Sequence, residues 1–436
     1  MTATAESELT STSDKRLRRY TLVGVFLTIF LDLVGFGMFI PILPSVARQL
    51  NASNAQAAYL STLFSIGTML SVMVIGRLSD RVGRRKILLF TIALSLCAQL
   101  ATGFAISIGS YLFLATVRFI AGIAAGNISV AQASIADITP LRERARSMVV
   151  IGIAFGAGFA IGPAIGAAST LLFPENPLMA IAIAATALNL VNLCFIALKY
   201  KETHHSFAPK ELSSIIHAAS EGTNTDATVA KESLRSDFVS LMKRPYLKTI
   251  YLMQFIQIFG FVGIETILPL ALVDAYNFNQ TQVYNSFIYI GLSALLFNAG
   301  LSRRVLKKSG ETRTLAAGQL CLTAGAFLIP WAAPGAGGLF AALTLLSLGS
   351  AFANPALGGL ISGLSPQNKQ GTALGLGQSI SAGARILGPA SMGLLYDHFH
   401  GAPSLFISSA LLLTVALIGM AGLRGLALSP AAGDKS

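Results

Sequence analysis

The sequence predicts an all-α membrane protein, with twelve transmembrane helices forming two pseudo-symmetric six-helix bundles around a central cavity. Three observations lead there. Of 436 residues, 53% are hydrophobic and only 11% charged, against roughly 25% charged in an ordinary soluble domain, so a soluble enzyme is excluded. The apolar stretches run to about 20 residues, the length that crosses roughly 30 Å of hydrocarbon as helix. An outer-membrane barrel would instead show alternating segments of about 10 residues. Finally, landmark residues recur after a shift of about 226–228 positions.

In chain order, the predicted spans are 22–42, 57–75, 87–108, 110–133, 148–171, 178–198, 248–273, 282–301, 314–331, 338–361, 371–395 and 404–424. They group as a tail (1–21), an N-terminal bundle (22–198), a linker (199–246), a C-terminal bundle (247–424) and a second tail (425–436). The first apolar run is too long for a signal-peptide core, so the N-terminus is expected to be retained. The linker breaks the apolar pattern with Lys, Glu, Ser, Thr and His, and its end at 236–248 alternates like a surface helix.

Cationic residues fix the expected orientation. Of 31 Lys and Arg, 28 fall in the tails, the linker and alternate connections on one side, Arg48 alone lies in a loop on the other, and Arg118 and Arg385 lie inside spans. The positive-inside rule then puts both termini in the cytoplasm. The net charge of +12 reads as topology and contact with anionic lipid, not as nucleic-acid binding. Cys97, Cys194 and Cys321 each sit alone in a span and read as small buried hydrophobes, with neither metal nor disulfide spacing.

The repeat places Gly35 on Gly263, Pro41 on Pro269, Gly83 on Gly310, Pro140 on Pro366, and Gly162-Pro163 on Gly388-Pro389. Two related halves enclosing a midplane cavity are an architecture of secondary transporters.

Between the second and third spans the chain reads Gly76-Arg77-Leu78-Ser79-Asp80-Arg81-Val82-Gly83-Arg84-Arg85-Lys86. Gly76 and Gly83 permit close approach and turning, and Asp80 can accept from helix amides or arginines, as a latch would. In the second half Lys307 replaces the aspartate. Span four carries Leu114-x-x-x-Arg118-x-x-x-Gly122-x-x-x-Gly126, and the turn after it Asp137-Ile138-Thr139-Pro140-x-Arg142-x-Arg144. Span five carries Gly158-x-x-x-Gly162-Pro163-x-x-Gly166. Glycines four apart let helices pack closely, and the proline kinks its span.

Together these motifs resemble the major facilitator superfamily, and the last resembles the motif of its proton-coupled exporters. Span one, from Leu31-Asp32-Leu33-Val34-Gly35-Phe36-Gly37 to Pro44, is similar to that of tetracycline and multidrug antiporters. The resemblance implies gating by Gly76, Asp80, Arg81, Gly83, Arg84 and Arg85, and gating or topology for Asp137 and Arg144. It implies helix packing through Gly122, Gly126, Gly158, Gly162, Pro163, Gly166, Gly388 and Pro389. Spans three and nine, where tetracycline exporters carry acids, offer Gln99 and Gln319.

Four charges lie at membrane depth. At 1.5 Å per residue, Asp32 and Arg118 reach nearly the same level, and Glu265 and Arg385 stand about 26 and 21 Å up their spans. A charge at such depth needs a partner or water, so the pairs Asp32–Arg118 and Glu265–Arg385 are expected. Asp32 with Arg118 is the proton-coupling candidate. Glu265 and Arg385, with Phe36, Phe259, Gln257 and Asn354, are the substrate-binding candidates, and Gln254, Asn298 and Gln378 add polar groups; structural ion pairs remain an alternative reading. No catalytic constellation or metal cluster is present, and no cofactor is implied beyond a proton gradient. The expected function is export of a small amphipathic compound in exchange for protons, by a monomer in a bacterial inner membrane. The alternatives are a metabolite, sugar or siderophore transporter on the same scaffold, or a sensor that does not transport.

Overall fold

The computed structural model describes residues 2–139, 141–203, 241, 244–332, 336–365, 370–399, 406, 409–410 and 413–414. Among them there is no strand, and nine helices are long and apolar enough to cross a membrane. The helices are α1 (Thr2–Phe39), α2 (Leu43–Gln49), α3 (Asn54–Val82), α4 (Arg84–Gly103), α5 (Ala105–Ile108), α6 (Tyr111–Ala124), α7 (Asn127–Ile138), α8 (Leu141–Leu172) and α9 (Pro177–Lys199). After the linker come α10 (Pro245–Asp274), α11 (Gln280–Leu296), α12 (Arg303–Leu328), α13 (Ala336–Leu364) and α14 (Gln370–Phe399). Of the predicted twelfth span only Phe406, Ser409, Ala410, Leu413 and Thr414 are described, and most of the linker and the C-terminal tail lie outside the described residues.

Two predicted spans are interrupted. Span three breaks at Phe104, between α4 and α5. Span four divides at Ala125-Gly126 into α6 and α7, because α3 crosses there: a Cβ on Gly126 would stand 2.0 Å from the Ser71 hydroxyl. Helix α13 runs through Pro355. Span eight continues from α11 through a π-helical turn, Phe297–Ser302.

The chain divides into two compact units. Unit 1 comprises Met1–Leu50 and Leu63–Asn224, and unit 2 comprises Asn51–Thr62 and Thr225–Ser436. Unit 1 is centred on α1 packed against α8, where backbone meets backbone: Cβ atoms on Gly158 and Gly162 would lie 2.6 Å from Leu33 Cβ and 2.7 Å from the Val34 carbonyl oxygen. Unit 2 repeats the device with α14 on α10, and a Cβ on Gly388 would stand 3.0 Å from the Phe259 carbonyl. Both helices carry their proline, Pro163 and Pro389, one residue later. The repeat extends to an unusual backbone state, for Gly83 (φ 106°, ψ 147°) and Gly310 (φ 74°, ψ 170°) share a region that L side chains rarely enter.

The cysteines depart from expectation. Cys97 and Cys194 are exposed and Cys321 is intermediate. A thiol is apolar enough for the outer face of a membrane helix, where lipid takes the place of core.

Candidate functional site

Close glycine packing places the unit 1 charges. Gly122 on α6 meets α3 so tightly that a Cβ would come 2.1 Å from the Phe64 carbonyl, and Gly67 on α3 answers with 2.4 Å to that of Phe119. Thr68 Oγ1 closes the seam by donating to the Gly122 carbonyl at 3.1 Å. One turn before Gly122, Arg118 is thereby laid against α3. It is 3% exposed, and its guanidinium carbon stands 5.2 Å from the Phe64 ring centre and 5.3 Å from that of Phe39. Phe36 completes the aromatic wall at 5.1 Å from Phe64.

Asp32 does not take Arg118 as its partner. Its carboxylate accepts from Asn127 Nδ2 at 2.6 Å, and no ion pair joins it to the arginine. The division between α6 and α7 explains the change, because Asn127 becomes the first residue of α7, where its buried side chain turns to α1. Arg118 is stabilised by ring faces instead, and its Nε makes no hydrogen bond. Asp32, Gly35, Phe36, Phe39, Gln99 and Arg118 line one small cavity. The Gln99 carbonyl oxygen is buried there without a hydrogen bond, and so is the Asn127 carbonyl oxygen beside Asp32.

Unit 2 holds a chain of neutral amides. Gln319 on α12 donates to Gln257 Oε1 on α10 at 2.5 Å, Gln257 donates to Asn354 Oδ1 on α13 at 2.9 Å, and Asn354 donates to Ser350 Oγ at 3.1 Å. Gln254 donates to Ser381 on α14 at 3.0 Å. Phe259 stacks on Phe255 at 5.9 Å. The expected Glu265–Arg385 ion pair is not formed. Asn354 and Gln378 are exposed on the unit surface, whereas Asn298 returns its amide to the carbonyl of Ala294 in its own helix.

The loop motif centres on Arg84, which is 6% exposed. It reaches Asp80 at 2.5 Å, Asp137 at 3.1 Å and the Ser79 hydroxyl at 2.5 Å. Asp80 therefore binds an arginine, and the helix amides go elsewhere: Glu202, just past α9, accepts the Arg84 and Arg85 N–H groups at 2.9 and 3.1 Å. A Cβ on Gly83 would stand 2.6 Å from that carboxylate, so Gly83 supplies both the backbone state and the room for the cap. Beside it, burial pushes the Tyr200 hydroxyl up to about 12, and this neutral group donates to Ser134 at 2.6 Å. Arg81 is exposed at the same turn and Gly76 sits in ordinary contact with Ser129. The Arg144 side chain lies outside the described residues.

Sequence reasoning did not single out Glu202 or Asn127. Nothing marks Glu202 in a polar stretch, whereas Asn127 was visible as an amide directly after the Arg118–Gly126 pattern.

The Major Facilitator Superfamily family model matches residues 25–389 and 304–434. The chain belongs to that superfamily. It is 27% identical to tetracycline resistance protein, class B, of Escherichia coli over 383 residues, covering 87% of this chain and 88% of that one. It is also 27% identical to multidrug resistance protein 2 of Bacillus subtilis (strain 168), covering 89% and 92%. The crystal structure of the human organic anion transporter MFSD10 (TETRAN) superposes with a TM-score of 0.65 at 24% identity, covering 92% of this chain and 99% of that one. The major facilitator superfamily consists of membrane transporters, not enzymes, and this chain is a multi-pass member of it.

Proposed function

We infer that the chain is a proton-coupled exporter of a small amphipathic compound, working by alternating access as a monomer, with both termini in the cytoplasm of a bacterial inner membrane. The single observation that carries this reading is the Asp32–Asn127 contact, with Arg118 set against aromatic rings and, among the described residues, no carboxylate paired with it. A carboxylate locked in an ion pair is held ionised. A carboxyl group facing a neutral amide has a partner in either state, because Asn127 donates through Nδ2 and offers its otherwise unused Oδ1 to the protonated acid. Asp32 can thus load and release a proton without leaving a buried orphan.

The relatives named for tetracycline and multidrug resistance support export of drug-like compounds. Within unit 2 the aromatic face of Phe259, with Glu265, suits an amphipathic and often cationic molecule, and Phe36 offers a ring face within unit 1. In reconstituted vesicles, adding a transported compound is expected to move protons, and Asp32→Asn is expected to abolish that movement while the protein still inserts and folds. Unchanged proton movement in the variant rejects the assignment. The neutral amides Gln257, Gln319 and Asn354 favour a second reading, a polar metabolite or sugar. Accumulation that follows the proton gradient inward would select it over export.

A further inference from the structure

The two basic loops begin as copies and end differently. At a shift of 227, residues 76–86 fall on residues 303–313, and each stretch holds five Lys or Arg and one acid. In unit 1 the charges are engaged inside the protein. Arg84 is held by Asp80 and Asp137, and Arg85 donates to the Ala197 carbonyl at 2.5 Å. The Glu202 carboxylate takes the two amides that follow Gly83.

In unit 2 the acids are gone from each of those places. Lys307 stands for Asp80, and positions 363–365 and 428–430, where Asp137 and Glu202 would fall, hold no acid. The one carboxylate of the stretch, Glu311, stands at the position of Arg84 and turns onto α13, its Oε1 2.7 Å from where a Gly359 Cβ would be. Gly310 keeps the unusual backbone of Gly83. A Cβ on Gly83 would meet the Glu202 carboxylate, whereas nothing lies within 4 Å of the same point at Gly310. On either side of it Arg304, Lys307, Lys308 and Arg313 are exposed. Among the described residues, none of these four side chains forms an ion pair or a hydrogen bond.

Arg304, Lys307 and Lys308 are three and four positions apart, which brings them to one face of α12. The chain just before them is apolar and uncovered, with Leu296 70% and Leu301 40% exposed. Ser302 braces the junction by donating to the Ala351 carbonyl on α13 at 2.8 Å. We propose that Arg304, Lys307, Lys308 and the turn at Gly310 form a headgroup site for an anionic phospholipid, whose phosphate stands where unit 1 carries its own carboxylate. Cations at the end of a membrane span attract anionic headgroups, and the adjoining leucines suit acyl chains. A soluble anion would gain from the cations alone. The inference goes beyond the exporter reading and rests only on the repeat and on the chain's place in a membrane.

The test is native mass spectrometry of the full chain in detergent, titrated with phosphatidylglycerol or phosphatidylcholine. The parent is expected to retain phosphatidylglycerol in preference to phosphatidylcholine, and inorganic phosphate is expected not to displace it. The triple variant Arg304→Gln/Lys307→Gln/Lys308→Gln is expected to lower bound phosphatidylglycerol about tenfold or more. Lys307→Asp, which restores the acid of the repeat, is expected to lower it severalfold from a single exposed position. Lys199→Gln/Lys201→Gln/Lys248→Gln removes the same charge from other exposed positions and is expected to bind as the parent does. Equal losses in the two triple variants would mean diffuse attraction and overturn the site. Displacement by inorganic phosphate would overturn it too, as would unchanged retention in Lys307→Asp protein that elutes as a single folded species. Nothing is transported in the measurement, so failure of the exporter reading leaves its outcome unaffected.

Discussion

Arg118 keeps a full charge at 3% exposure with two benzene rings as neighbours. With no anionic partner among the described residues, the charge stabilises nothing by pairing, and replacing such a buried charge by an apolar side chain of similar volume is often neutral or favourable. Arg118→Met is therefore expected to melt in detergent at the parent temperature or above, and to lose coupled transport. A marked drop in melting temperature would assign the arginine to structure instead. Glu202 is the reverse case, a residue whose removal leaves two helix-start amides without an acceptor. Glu202→Ala is expected to destabilise by about 1 kcal/mol, the usual value of an N-cap. Gly83→Ala is expected to cost about 1–3 kcal/mol, since the new methyl adds backbone strain to a collision with the same carboxylate. Melting curves of the two variants check both figures, and a Gly83→Ala protein as stable as the parent would refute the account of the turn.

Among the helices, what separates one glycine from another is the atom that faces it. Gly122 looks at a backbone carbonyl 2.1 Å from where its Cβ would be, which cannot move without moving α3. Gly383 on α14 has nothing within 4 Å. Gly122→Ala is expected to force α3 and α6 apart at a cost of about 1–3 kcal/mol and to lower transport, because Arg118 and Phe64 lose their stacking distance. Gly383→Ala is expected to be neutral or to gain up to about 1 kcal/mol from helix propensity. Equal melting temperatures for the pair would contradict the packing argument. The spacing of glycines around Arg118 made the close crossing legible in the sequence. The division of span four at Ala125-Gly126 was not, because it depends on a Ser71 hydroxyl from another helix, and with it the partner of Asp32 changed from Arg118 to Asn127.

For the molecule as a whole, periodic and local signals were legible and long-range pairings were not. Span lengths follow from the bilayer, and the duplicated Gly-Pro pairs and the Gly83–Gly310 match follow from backbone demands that repeat with the fold. The two carboxylate caps escaped because each joins residues far apart in sequence, Glu202 to Arg84 across 118 positions and Asp397 to Ala55 across 342. A carboxylate at a helix start leaves no spacing to read when it arrives from elsewhere in the chain. The second cap, in which Asp397 near the end of α14 accepts the Asn54 and Ala55 amides at the start of α3, is testable by cutting the chain. Residues 51–62 group with unit 2 but lie on the N-terminal side of the Asn224/Thr225 boundary, so fragments 1–224 and 225–436 expressed together share a helix that belongs to both. They are expected to co-purify and to transport. The Asp397→Asn change in the second fragment is expected to reduce the recovered first fragment severalfold, because a single carboxylate holds two amides across the cut. Recovery equal to that of the unsubstituted pair would mean that the glycine-backed surface of α14 suffices by itself and that the cap contributes nothing to the hold on α3.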